Sequence, residues 1–230
     1  MAKQHALAVA LLGTLACLWA AGPALTAPKV SVKTVHYTVR GTTPQEILVY
    51  MLRHGPSVQS GPELATASFD IEHDGEVRQI GKRCHLHGYR AKLKIVLHLP
   101  KLAKGQKLSP ATRKRWTKLS GYIRRHENKH KDIFVQCGRR IESRIKALSG
   151  KHSCSVLRDK MQAALVAEYD RCNKLQADFD AREAKRIPNL PLIKQAAKAA
   201  RSQPAKSSRR RASSTSGGQN NVRAIELSTR

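Results

Sequence analysis

The spacing of apolar residues changes once along this chain, and that change limits the possible folds more than any other feature. Up to about residue 102 apolar and polar side chains alternate. Tyr89, Ala91, Leu93, Ile95, Leu97 and Leu99 do so without a break before Pro100, the pattern of a strand with one buried face. After Ser109-Pro110, a hydroxyl cap followed by a first-turn proline, the interval becomes three or four residues. Trp116, Leu119, Ile123, His126, His130, Ile133, Cys137, Ile141, Ile145 and Leu148 form a single stripe, as on a long helix with one face against a core. Its length predicts a kink or break near Gly121. Ser149-Gly150 ends it, and Ser153 to Phe179 carry a second stripe through Val156, Leu157, Met161, Leu165, Val166, Tyr169, Cys172 and Leu175. The short connection predicts an antiparallel helical hairpin.

The first half divides further. KVSVKTVHYTVRG, residues 29–41, reads as an edge strand with a phase slip near Thr34. Thr43-Pro44-Gln45-Glu46 combines a cap, a first-turn proline and a capping-box glutamate. It opens a short helix, EILVYMLRH, which Gly55-Pro56 stops. ATASFDIEHDGEVRQIG predicts two strands around an Asp74-Gly75 turn. The fold class is therefore α+β: a small antiparallel sheet with one short helix, then a long antiparallel helical hairpin.

The chain ends read differently from this domain, which spans 29–187. Residues 1–24 resemble a signal peptide, with Lys3 and His5 before the apolar run ALAVALLGTLACLWAA and small residues Gly22-Pro23-Ala24 at the cleavage region. The run is short for a membrane span, which takes about 20 residues. Cys17 would leave with the signal, and the mature protein would be exported, periplasmic or secreted. From Pro188 to residue 230 the text is Ala, Ser, Lys and Arg with few large apolar residues, so a disordered basic tail is expected. The whole chain carries a formal charge of +27. Such a balance favours anionic envelope components or a membrane surface as partners. Specific nucleic-acid recognition is not expected, because export removes the usual targets and aromatic residues for stacking are few.

In an exported chain, Cys84, Cys137, Cys154 and Cys172 point to disulfides, and four cysteines allow three pairings. The chemistry lies in RRHENKHKDIF, residues 124–134, where His126, Glu127 and His130 have the spacing H-E-x-x-H. Histidines at i and i+4 leave one helix face a turn apart and can both reach one Zn²⁺ at about 2.0–2.1 Å. Glu127, turned about 100° from His126, would stand beside the metal as general base.

These pieces together resemble the domain-of-unknown-function 922 family, described as predicted secreted zinc-dependent proteases. HYTVRGTTPQEI, the cysteine before a strand ending in HLP, Trp116, the RRHENKHKDI block, Cys154 and FDA at 179–181 fall in the family's order over residues 33–186. The resemblance implies His126 and His130 as zinc ligands, Glu127 as the base and a Cys84–Cys154 bridge, leaving Cys137–Cys172 by subtraction. It departs from the family at one position. Where members continue as T-x-H-G, this chain reads FDAREAKRI, and Lys185 replaces a histidine that would serve as third ligand. The third ligand must then come from Asp180, Glu183, Cys172 or the His85/His87 pair. Glu183 is the first choice and Asp180 the next. Two functions follow. One is a zinc-dependent metallopeptidase acting on a peptide or protein substrate. The alternative is a degenerate metal-binding or envelope-binding module with a basic anchoring surface.

Overall fold

A computed structural model of the chain describes residues 28–58 and 61–202. The expected signal peptide and residues 203–230 lie outside the described residues. The elements run β1 (Lys29–Val39), α1 (Pro44–His54), β2 (Ser57–Val58), β3 (Gly61–Pro62), β4 (Thr66–Ile80), β5 (Arg83–Leu102), α2 (Pro110–Lys146), α3 (Cys154–Glu183) and α4 (Pro191–Ser202).

β5 is the spine. The main sheet has the order β1-β5-β4, and β2 and β3 form a small separate ribbon. Tyr89, Ala91, Leu93, Ile95, Leu97 and Leu99 are all buried, as their alternation requires. α2 lies across this face so closely that a Cβ on Gly138 would come within 2.5 Å of a Leu93 methyl carbon. The sheet is mixed rather than wholly antiparallel. β4 runs antiparallel to β5, whereas β1 runs parallel to it with Val32 beside Ile95. A parallel partner needs a crossover: α1 and the β2–β3 ribbon carry the chain past the end of β5 from β1 to β4, and β4 itself makes the return. The crossover is firmly started: Thr43 caps Glu46 N–H and the Glu46 carboxylate reaches back, completing the capping box.

Three local expectations change. Asp74-Gly75 is not a turn: β4 continues through it, with a register shift between Asp74 and Glu76. Gly75 has φ +139°, and a Cβ there would lie 2.8 Å from Tyr89 Cα, so this is a bulge that only glycine fits. The hairpin turns instead at Gly81, φ +62°. α2 is continuous through Gly121. One interior glycine costs about 1 kcal/mol relative to alanine, little against a helix buried along its length. Finally, the tail does not begin at Pro188. Residues 191–202 form α4, whose Leu192 and Ala196 are buried, and α4 packs on α1 and α2. Its few apolar residues suffice because they share one helical face.

Both disulfides form. Cys84–Cys154 ties the start of β5 to the start of α3, and Cys137–Cys172 joins α2 to α3, with Cα separations of 5.0 and 5.8 Å. A symmetrical hairpin would put Cys172 too far along α3 to meet Cys137. The connection resolves this by travelling: Cys84 N–H donates to the His152 carbonyl, and Gly150 N–H donates to that of Cys84. Nine residues separate Cys137 from the end of α2, and eighteen separate the start of α3 from Cys172. At 1.5 Å per residue, α3 thus begins about 14 Å beyond the end of α2.

Candidate metal centre

His126 and His130 come from adjacent turns of α2, and Asp180 from the last turn of α3 facing them. The His126 and His130 Nε2 atoms are 3.0 Å apart, and Asp180 Oδ1 is 3.2 and 2.9 Å from them respectively. No other described set of three His, Cys, Asp or Glu side chains converges in this way. Donor atoms about 2.0–2.1 Å from a tetrahedral metal stand about 3.3 Å apart, close to all three separations. The trio could hold a metal ion.

The chemistry of the donors agrees. Gln176 gives its side-chain N–H to the His130 carbonyl at 3.3 Å, which turns its oxygen towards His130 Nδ1 at 2.5 Å. Nδ1 then carries the hydrogen, and a neutral ring presents an Nε2 lone pair to the centre. His126 is fixed by packing, its ring 4.8 Å from that of Phe179 and 5.9 Å from that of Tyr122. Its Nδ1 is buried and has no hydrogen-bond partner among the described residues. Burial alone would raise the Asp180 carboxyl, yet the hydrogen bonds from His126 and His130 outweigh it and hold Asp180 well below its ordinary range. Burial pulls His130 down, and the contacts with Asp180 and Gln176 more than reverse that.

Glu127 lies beside the trio, 4% exposed. Burial pushes its carboxyl up to about 7 against the opposing pull of His130 and His126. Its side chain faces a cleft of about 940 Å³ that also takes in His126, His130 and Asp180. One wall is the start of β4, Thr66 to Ser68, with the loop through Glu63 and Leu64. The floor is α2, and the far wall continues past α3 through Ala184, Ile187 and Leu190. Most of the lining surface is apolar; besides the trio and Glu127, its carboxylate and imidazole groups are Glu63 and His98.

Glu183, the first choice for third ligand, is not in the trio. Its carboxylate accepts from the Tyr122 hydroxyl at 2.9 Å and pairs with Arg186 at 2.9 Å. Asp180 takes the place because it stands three residues earlier, nearly a full turn closer to the histidines. Cys172 is consumed by its disulfide. His85 packs against Gly150 and belongs to no metal group, and neither does His87. Lys185 is exposed and offers only its backbone carbonyl, to Asn189. The sequence reading missed Gln176 and Tyr122. Tyr122 had a visible signal, lying one turn before His126 on the same face. Gln176 had none, since a glutamine on a helix is unremarkable until the register of α3 is known.

Residues 34–186 match the family described as "Bacterial protein of unknown function (DUF922)". The chain belongs to this family. No curated protein and no solved structure matches it. In this DUF922 member the matched region ends just after Glu183, so it contains the whole trio, Glu127 and both disulfides. α4, which lies outside it, supplies packing rather than ligands.

Proposed function

We propose that this protein is an exported zinc-dependent metallopeptidase. The observation that carries the reading is the arrangement of His126, His130 and Asp180 around one point, with Glu127 beside them in an open cleft. Two nitrogens and one carboxylate oxygen are a donor set that suits zinc and leaves a coordination position free, as in catalytic rather than structural sites. When bound, the ion supplies Lewis acidity to a water and to a substrate carbonyl. His126, His130 and Asp180 hold it; Glu127 takes the proton released by the water and returns it to the departing nitrogen.

A peptide substrate is supported by the cleft wall. β4 is an edge strand, so one side of its backbone is unpaired in the sheet, and Thr66, Ala67 and Ser68 line the cleft. An extended peptide can add to such an edge through main-chain hydrogen bonds. Export is supported by the two disulfides, which persist in oxidising compartments. Among the described residues no helix is long and apolar enough to cross a membrane.

Metal analysis and one substitution test the reading. The purified protein should hold about one zinc per chain, and Glu127→Gln should keep that metal while losing about a hundredfold or more in peptide hydrolysis. Absence of metal after refolding with excess zinc would refute the site. A fully loaded protein as inert as Glu127→Gln towards a broad peptide library would mean a binding module instead.

A further inference from the structure

α2 carries the candidate centre on one side and a different surface on the other. Arg113, Lys114, Lys118, Arg124, Arg125 and Lys129 are exposed or nearly so, and no ion pair holds any of these six among the described residues. The helix has three acids. Glu127 and Glu142 are buried, and Asp132 pairs with Lys131. At 100° per residue the six cations fall within one half of the helix circumference, roughly opposite His126, Glu127 and His130. They extend over about 24 Å of axis, and Arg139 continues the same face. α3 shows what an ordinary solvated helix face in this protein looks like, with exposed Arg158, Lys160 and Lys174 interspersed with Asp159, Asp170 and Asp178. The one-sided charge is therefore a property of the outer face of α2 and not merely of the chain.

We propose that this face docks on an anionic lipid bilayer. The six cations are exposed along one side of a single helix, and long basic side chains fanning from such a face suit a plane of headgroups. No large apolar residue is exposed on the face to insert below the headgroups, so the attachment is electrostatic and reversible. Because the cleft lies on the opposite side of the same helix, docking leaves its mouth turned away from the membrane. The docked protein acts on material arriving from the aqueous side. The docking face stands whether or not the centre is catalytic.

Sedimentation of the full chain with lipid vesicles tests this. Binding is expected to phosphatidylcholine vesicles containing phosphatidylglycerol, at low salt, and not to phosphatidylcholine alone. Lys114→Glu/Lys118→Glu/Arg125→Glu should weaken it on the order of a hundredfold, and the alanine triple at the same positions should weaken it less. Arg158→Glu/Lys160→Glu/Lys174→Glu, an equal charge change on α3, should leave most of it. Thermal unfolding of each variant checks that the fold is kept. Equal losses in the α2 and α3 variants would reduce the effect to net charge and overturn the proposal. So would absence of vesicle binding by the wild type, or tighter binding to soluble dextran sulfate than to vesicles.

Discussion

Gln176 grips His130 at two points, its amide nitrogen on the backbone carbonyl and its amide oxygen on Nδ1. A helix residue on α3 thereby sets the tautomer and the angle of a ring on α2. Replacing it with leucine removes the acceptor while keeping the volume. Metal affinity should then fall by about 10–100-fold, read by competition with a chromophoric chelator. The disulfides and thermal midpoint should change little. Unaltered affinity would mean that packing alone orients the ring.

Glu168 is buried, 2% exposed, and accepts from Arg140 at 3.1 Å and Arg144 at 2.8 Å. Burial would raise its carboxyl, but the bonds from Arg144 and Arg140 prevail and hold it below the ordinary range. A carboxyl depressed in the folded state stabilises above its unfolded pKa, and that contribution is lost as pH falls through the folded value. Glu168→Gln should therefore destabilise by about 3 kcal/mol near neutral pH, the lower end for a broken buried pair because Arg144 reaches water. The gap between variant and wild type in thermal unfolding should narrow as the solution is taken below the ordinary carboxylate range. A gap that stays constant with pH would rule out the ion pair as its cause.

Leu192 is fully buried on α4, outside the matched family region. Leu192→Ala should cost about 2–5 kcal/mol, measured by denaturant unfolding. Ending the chain after Leu190 should cost more than ending it after Ser202. If both truncations unfold like the full chain, α4 contributes nothing to the folded domain.

Cys137–Cys172 closes a segment with a sequence separation of 35. By the loop-entropy argument its loss destabilises by about 4 kcal/mol. The double serine variant should show a matching fall in unfolding free energy. A fall in zinc affinity larger than that of Cys84→Ser/Cys154→Ser would mark this bridge as the one nearer the centre. Equal effects on affinity would contradict that.

The sequence revealed what depends on period and on residue type. The inner face of β5, the stripe of α2, the capping box at Thr43 and the pair His126/His130 are all legible because neighbours along the chain determine them. What escaped it depends on how distant segments meet. Asp74-Gly75 has turn composition, but whether it bends the chain or bulges it is decided by Tyr89 on the facing strand. Asp180 and Glu183 are indistinguishable as candidate ligands until the offset between α2 and α3 is known. That offset comes from residues 147–153 lying along the start of β5. α4 was hidden for another reason: Ala-rich, basic text looks unstructured unless its two buried residues are seen to share a face.

The Cys137–Cys172 bridge stands nearly level between two distances. From Cys137 back to His130 is seven residues, and from Cys172 forward to Asp180 is eight. Since the helices are antiparallel, both legs point the same way, like a pair of dividers joined at the top. One residue of slippage between the helices would move a leg by about 1.5 Å and swing its tip by about 100°, enough to part Asp180 from the histidines. The bridge forbids that slip about two turns from the tips. An oxidised thiol pair thus determines whether a carboxylate and two imidazoles can meet.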